Sequence, residues 1–335
     1  MQAIRLKTEH LIDPIGVDFT APRLYWNCSG GRKQTAYQIV AADDSGSVLW
    51  DSGRVESAAM CVKWGGAPVP PKTKVLWNVR LWNETDTAGD WSEASFETGI
   101  NTWRAKWITG DYKVNKKERY PVDCFRRAFR ADDVKKARLY ITACGLCEAK
   151  LNGQRVGDFV RAPGITDYRK RVQYQTYDVT DLLQDGENAL TVQLADGWYR
   201  GSCGAWGLKN QYGTETKLLA QLELTRADGS VQTVATDESW DWSNDGPVRF
   251  ADNKDGEVVN ANNVPSYQGK AKATSHPVTP TASNNVPVTE HERLKPVCII
   301  TPSGKTVLDF GQNIAGYAEF TVTAHAGQKI KLRFG

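Results

Sequence analysis

Apolar and polar positions alternate with period two over most of this chain. Leu190, Val192 and Leu194 fall on one face of a short run, and Leu218, Ala220, Leu222 and Leu224 repeat the pattern. Ile330, Leu332 and Phe334 alternate with Lys329, Lys331 and Arg333. This period belongs to half-buried strands. No long segment carries apolar residues at the three-and-four spacing of an amphipathic helix. Turn-forming residues punctuate the runs at 43–46, 152–153, 185–186, 228–229 and 326–327. The pattern predicts an all-β protein made of tandem β-sandwiches.

The runs fall into three regions. Residues 1–100 carry strand signals at 23–27, 36–42, 49–55, 75–83 and 93–98. Short, regular strands in so few residues fit a fibronectin type III or immunoglobulin-like sandwich. Residues 103–285 carry signals at 124–129, 136–142, 148–151, 173–179, 189–194, 218–225 and 231–236. Their length and long loops suit a jelly-roll-like, two-sheet domain. The Pro-, Ser-, Thr- and Asn-rich stretch 270–288 reads as a linker or an extended strap. Residues 290–335 offer strands at 306–310, 318–323 and 329–334. That is too little chain to bury a core alone, so a partial third sandwich is expected, one that a longer protein would complete.

Composition narrows the function classes. The net charge is only +3 and the basic residues are scattered, which argues against a nucleic-acid partner. The one local basic cluster, Tyr168–Arg171, reads as a solvated strand end. No apolar run reaches membrane-spanning length. The N-terminus lacks the apolar stretch of a signal peptide. Seven cysteines in loose spacing do not form a disulfide framework. Cys144 and Cys147 make a lone C-x-x-C in a strand-like run, a packing feature rather than a zinc or redox site. Reduced cysteines fit a cytoplasmic location.

Twelve tryptophans against two methionines is an unusual balance. Six lie in the first region, where core and rim packing accounts for them. The densest aromatic segment outside it is 196–213, DGWYRGSCGAWGLKNQYG. Its glycines let a backbone approach a ligand, and aromatic rings can cover the apolar face of a pyranose. Asp196, Trp198, Tyr199, Arg200, Trp206 and Asn210 are therefore candidate sugar-binding residues. The alternative is a connecting loop whose rings fill the core. Asp252, Asn253, Asp255 and Glu257 in DNKDGE form a candidate calcium loop, with a solvated turn as the competing reading. Asp309, Gln312 and Asn313 read as turn residues that fix a domain interface, or else as an active-site rim. Glu93, Glu97, Glu215 and Glu257 read as surface or loop groups.

Several motifs together resemble the N-terminal half of bacterial α-L-rhamnosidases. They are GLCEAKLNGQRVGD at 145–158, PGITDYRKRVQY at 163–174 with TYDVT at 176–180, DGWYRG at 196–201 and LDFGQNIAG at 308–316. WDSG at 50–53 and WNVRLW at 77–82 resemble the family's leading fibronectin-like module. Cys147 stands where the family often has an aromatic residue. The resemblance implies a concanavalin-like identity for the region from 290, and an inverting hydrolase whose catalytic carboxylates lie in an (α/α)₆ domain. No helical repeats are present here, so no catalytic residue is expected in this chain and the chain alone is expected to be inactive. The resemblance also implies rhamnose-containing glycans or glycosides and the catalytic domain as partners, with calcium as the cofactor of some sugar-binding jelly rolls. A stand-alone carbohydrate-binding protein and a purely structural sandwich assembly are the alternatives.

Overall fold

A computed structural model describes residues 1–334. The chain divides into two units, Met1–Thr289 and Glu290–Gly335. Within the first, residues up to about 100 form two antiparallel sheets. Gln2–Thr8, Arg23–Ser29 and Cys61–Lys63 make a three-stranded sheet. Val48–Asp51, Ala36–Asp43, Lys74–Trp82 and Ser92–Glu97 make the larger one, with Val55–Glu56 also pairing against Ala36–Asp43. Every second residue of Lys74–Trp82 is buried, which places Val75, Trp77, Val79 and Leu81 in the core between the sheets. Trp26 and Trp64 join that core. Trp91 stays at the rim, with the Arg80 guanidinium 4.7 Å from its ring centre. The sequence pattern missed the strand Gln2–Thr8, because Arg5 takes a positive φ of 53° and the register slips between Ile4 and Lys7. That irregularity breaks strict alternation.

The remainder of this unit is a two-sheet sandwich. One sheet runs in the order Gln154–Arg155, Leu146–Leu151, Gly186–Ala195, Asp123–Ala131, Asp241–Ser243 and Gly269–Lys270. The other runs Lys272–Ala273, Ile108–Thr109, Lys217–Arg226, Val134–Cys144, Gln173–Asp178 and Thr281–Ala282, with Val231–Ala235 also on Lys217–Arg226. Leu190, Val192 and Leu194 face Leu218, Ala220, Leu222 and Leu224 across one apolar core. The stretch 270–288 is a strap. It adds an edge strand to each sheet and then pairs Thr281–Ala282 in parallel with Gln173–Asp178.

A buried ion pair joins the first sandwich to the second. Arg138 donates from Nε to Glu97 Oε1 at 3.0 Å and from a terminal nitrogen to Oε2 at 2.9 Å. Lys136 Nζ lies 3.1 Å from the same carboxylate, and Arg138 also reaches Asp178 at 2.7 Å. Glu97 is only 1% exposed, which corrects its reading as a surface group. It ends an edge strand, a surface position in an isolated sandwich, and the neighbouring sandwich covers it. Gly16 sits at the same junction with φ of 72°, where a Cβ would collide with the Thr176 side chain.

In the second unit Val297–Ile300 pairs with Thr306–Asp309 as a hairpin. The strands expected at 318–323 and 329–334 are not formed; those residues carry no ladder hydrogen bonds among the described residues. Alternation supplies a face, but a strand also needs a neighbouring edge and a core beneath it. Phe320, Val322, Ile330, Leu332 and Phe334 are accordingly exposed.

Candidate functional site

The glycine-rich loop 196–213 leaves Gly186–Ala195, and the chain then enters Lys217–Arg226. It is not entirely irregular. Gly197–Arg200 forms one helical turn, entered through Gly197 at φ of 52°. A side chain at Gly197 would press on Leu146 and the backbone of Gly145. The turn lays Tyr199 on the outer face of the second sheet, where it packs with Leu219, Cys144, Tyr168, Val172 and Trp107. Tyr168 is 1% exposed. The basic stretch 168–171 is therefore anchored by a core tyrosine rather than wholly solvated, and only its charged members reach water.

The root of the loop is held by a buried polar network. Arg200 Nε donates to Asp196 Oδ1 at 2.7 Å, and a terminal nitrogen stands 2.6 Å from the same oxygen. Its other terminal nitrogen donates to the Tyr112 hydroxyl at 2.6 Å. Tyr112 in turn donates to Asp123 at 3.3 Å. Asp123 accepts Thr216 Oγ1 and Trp242 Nε1, each at 2.9 Å. Asp123 is fully buried and Arg200 is 5% exposed. Burial lifts the Asp123 and Asp196 carboxyl groups above their ordinary range, and the Arg200 charge opposes that rise at both. The Tyr112 and Tyr120 rings flank the guanidinium.

A second layer lies above this network. Asp255 bonds Arg119, accepts Ser202 Oγ at 2.7 Å and lies 3.6 Å from Lys209 Nζ. These partners hold its carboxyl below the usual range, the Ser202 and Arg119 bonds being the largest causes. Asp252 accepts the backbone N–H groups of Ser202, Lys254 and Asp255 at 2.7 to 2.9 Å. Both belong to the hairpin of Val248–Asp252 with Gly256–Val259, and Glu257 lies exposed on its return strand. Among the described residues no group of three or more His, Cys, Asp or Glu side chains is placed to hold a metal ion. Within the candidate calcium loop of Asp252, Asn253, Asp255 and Glu257, Asp252 and Asp255 are the two carboxylates engaged by these donors and cations.

The loop's tip differs from its root. Cys203 and Leu208 exchange backbone hydrogen bonds at 2.9 and 3.1 Å and close a small hairpin. Lys254 Nζ donates to the carbonyls of Gly204 and Ala205 and pins it from below. Trp206 at its apex is 88% exposed. Asn210 turns the chain back, its N–H bonded to the Arg200 carbonyl at 2.9 Å. Trp198 is half-buried against the Tyr199 cluster. The six sugar-binding candidates thus separate, with Asp196, Tyr199 and Arg200 inside, Trp198 and Asn210 between, and Trp206 in solvent. The cleft between root and hairpin, lined by Arg119, Tyr120, Arg200, Asn210 and Phe250 among others, has only about 20 Å³ of free volume, room for about one water.

Sequence reasoning missed Tyr112, Asp123, Thr216 and Trp242, which come from four other segments. A carboxylate between the apolar Val122 and Cys124 at the start of a core strand was the available signal for Asp123. All seven cysteines are free thiols. Burial pushes Cys144 and Cys147 up to about 12, which agrees with packing rather than metal or redox chemistry. In the second unit Asp309 Oδ1 accepts the Gly311 N–H at 2.8 Å. Asp309 acts there as a turn residue, while Gln312 and Asn313 are exposed.

Two sandwiches, the second wrapped by a strap and carrying a braced aromatic loop, define a tandem β-sandwich protein. Residues 132–300 match the α-L-rhamnosidase N-terminal domain family. Residues 3–102 match the Rha78A-like N-terminal immunoglobulin domain, and 299–335 the bacterial α-L-rhamnosidase concanavalin-like domain. The chain belongs to the α-L-rhamnosidase N-terminal domain family. An α-L-rhamnosidase of Formosa agariphila is 33% identical over 98% of this chain and 39% of its own length. The crystal structure of the Aspergillus terreus α-L-rhamnosidase superposes with a TM-score of 0.85 at 33% identity, covering 93% of this chain and 39% of that one. The Streptomyces avermitilis α-L-rhamnosidase, solved in complex with L-rhamnose, gives 0.82 at 25% identity, over 93% of this chain and 49% of that one. The chain spans about 39% of the length of the Formosa relative, so it corresponds to the N-terminal domains of such enzymes.

Proposed function

We propose that this chain supplies the accessory β-domains of an enzyme that releases terminal α-L-rhamnose from glycosides. In this reading a helical (α/α)₆ domain is its partner and carries the two catalytic carboxyl groups, and rhamnose-containing glycans or glycosides are the substrates. The observation that carries the proposal is how the carboxylates around the cleft are used. Asp196 is spent on Arg200, Asp255 on Arg119 and Ser202, Asp252 on three backbone N–H groups, and Asp123 on three side-chain donors. Inverting hydrolysis needs two carboxyl groups about 6.5–9.5 Å apart across a space that holds sugar and water. A cleft with room for about one water offers no such space.

The sugar-facing role falls to the tip of the loop. Trp206 presents an uncovered indole on a hairpin fixed by Lys254, and a flat apolar ring is what the C–H face of a deoxy sugar stacks on. The test uses this chain as it stands. Incubation with a chromogenic α-L-rhamnoside should release no chromophore above the buffer rate. Turnover above buffer would place catalysis here and overturn the proposal.

A further inference from the structure

A second crevice lies where the first sandwich meets the two-sheet domain, away from the glycine-rich loop. It is an open crevice with about 390 Å³ of free volume, within the range of small-ligand sites. Asp18 and Phe19 come from the first sandwich, Lys170 and Arg171 from the turn before Gln173–Asp178, and Ser283 and Asn284 from the strap. Its walls are fixed by hydrogen bonds. Asp18 accepts the Tyr174 hydroxyl at 3.0 Å on one oxygen and the Ala282 N–H at 2.5 Å on the other. Asn284 Oδ1 accepts Arg171 at 3.1 Å and Gln173 at 3.0 Å, and its carbonyl accepts His10 Nε2 at 2.6 Å.

The charges in this crevice are unbalanced. Neighbouring Arg169 is paired with Asp167 at 2.9 Å. Arg171 bonds only a neutral amide through its side chain, and Lys170 forms no direct ion pair among the described residues, its nearest electrostatic partner being Asp167, which already bonds Arg169. Asp18 offers the single opposing charge, and both its oxygens already accept donors. Two cations without a direct carboxylate contact, a half-exposed phenyl ring and a serine lining one space call for a ligand with a matching carboxylate, an apolar face and further hydroxyls. The geometry points to a subsite for a hexuronate residue of an acidic glycan. Its carboxylate meets Lys170 and Arg171, its C–H face lies on Phe19, and its hydroxyls reach Ser283 and Asn284. This subsite shares no residue with the proposed rhamnose contact, so the two stand or fall separately.

The probe is methyl β-D-glucuronide, titrated into the purified chain at low ionic strength and followed by calorimetry. Methyl β-D-glucoside and inorganic sulfate serve as comparison ligands. The glucuronide should bind more tightly than either. Joint Lys170→Gln and Arg171→Gln substitution should weaken it at least about tenfold, the loss of roughly one charge-assisted contact, with only a small change in melting temperature, since Arg171 gives up a single exposed hydrogen bond to Asn284. Phe19→Ala should weaken it severalfold; should that variant fail to fold, the two surface substitutions still decide the matter. Absence of glucuronide binding, equal binding of sulfate (a bare anion patch), equal binding of the glucoside, or unchanged affinity in the double variant would each overturn the subsite. Trp206→Ala should leave glucuronide binding intact, which separates failure here from failure of the rhamnose reading.

Discussion

The root and the tip of the glycine-rich loop lie within 18 residues of one another and behave as opposites. At the root, Asp196, Tyr199 and Arg200 are buried and tied to four other segments of the chain. At the tip, Trp206 stands in solvent on a hairpin pinned by one lysine. The same composition, aromatic and glycine-rich with an arginine, serves a core in one half and a surface in the other. Local residue type thus does not decide which half meets a ligand. The decision comes from what the rest of the chain brings alongside, and only the root finds partners in the half-buried Tyr112 and Trp242 and the buried Asp123.

The largest effect that would break this contrast is at Arg200. Arg200→Ala leaves Asp196 buried without its cation and removes a donor from Tyr112, so stability should fall by about 3–5 kcal/mol, read from urea unfolding. A loss below about 1 kcal/mol would mean that the root is not a scaffold. The buried pair at the sandwich junction is the next test, because it has the same character away from the loop. Glu97→Ala leaves the buried Arg138 with only the half-exposed Asp178 as its carboxylate partner and should cost about 3 kcal/mol, with cleavage between the sandwiches by limited proteolysis rising in step.

A smaller effect is set by pH. His276 is half-buried, with its ring 5.6 Å from Trp107 and 6.4 Å from Tyr199. Burial, followed by the Lys217 charge, holds its pKa below the usual imidazole value. The unfolded chain therefore binds this proton at a higher pH than the folded one. The contribution is full above the unfolded pKa of about 6.5 and is lost as pH falls through that value toward the folded one. His276→Phe should flatten the decline in melting temperature between pH 7 and pH 5; an unaltered slope would show that the root does not shield this ring. The smallest effect on stability belongs to the tip. Trp206→Ala should change the unfolding free energy by no more than about 0.5 kcal/mol, as for other exposed positions.

The long central strands of both sandwiches were legible in the sequence because their alternation reports burial on one face, whereas the irregular Gln2–Thr8 and short strands such as Asp241–Ser243 were not. Leu218, Ala220, Leu222 and Leu224 read correctly for that reason. The other face of the same strand was not legible. Leu219 and Gln221 are also buried, by the loop and by neighbouring chain segments that no local pattern announces. Alternation misled at 329–334, where the residues alternate but no strand edge is paired with them. The loop was located by its composition, and its division into root and tip was not, because that division depends on Asp123 and Trp242, separated by more than a hundred residues. The family resemblance rested on motifs spread along the chain, and the comparisons bear it out.

The contrast between root and tip is tested most directly by titrating L-rhamnose into the wild-type chain, Trp206→Ala and Tyr199→Phe. The account predicts that the binding heat of the wild type disappears in Trp206→Ala while its melting temperature holds, and that Tyr199→Phe retains the binding heat. Undiminished affinity in Trp206→Ala, or an affinity lost in Tyr199→Phe without any loss of stability, would contradict it.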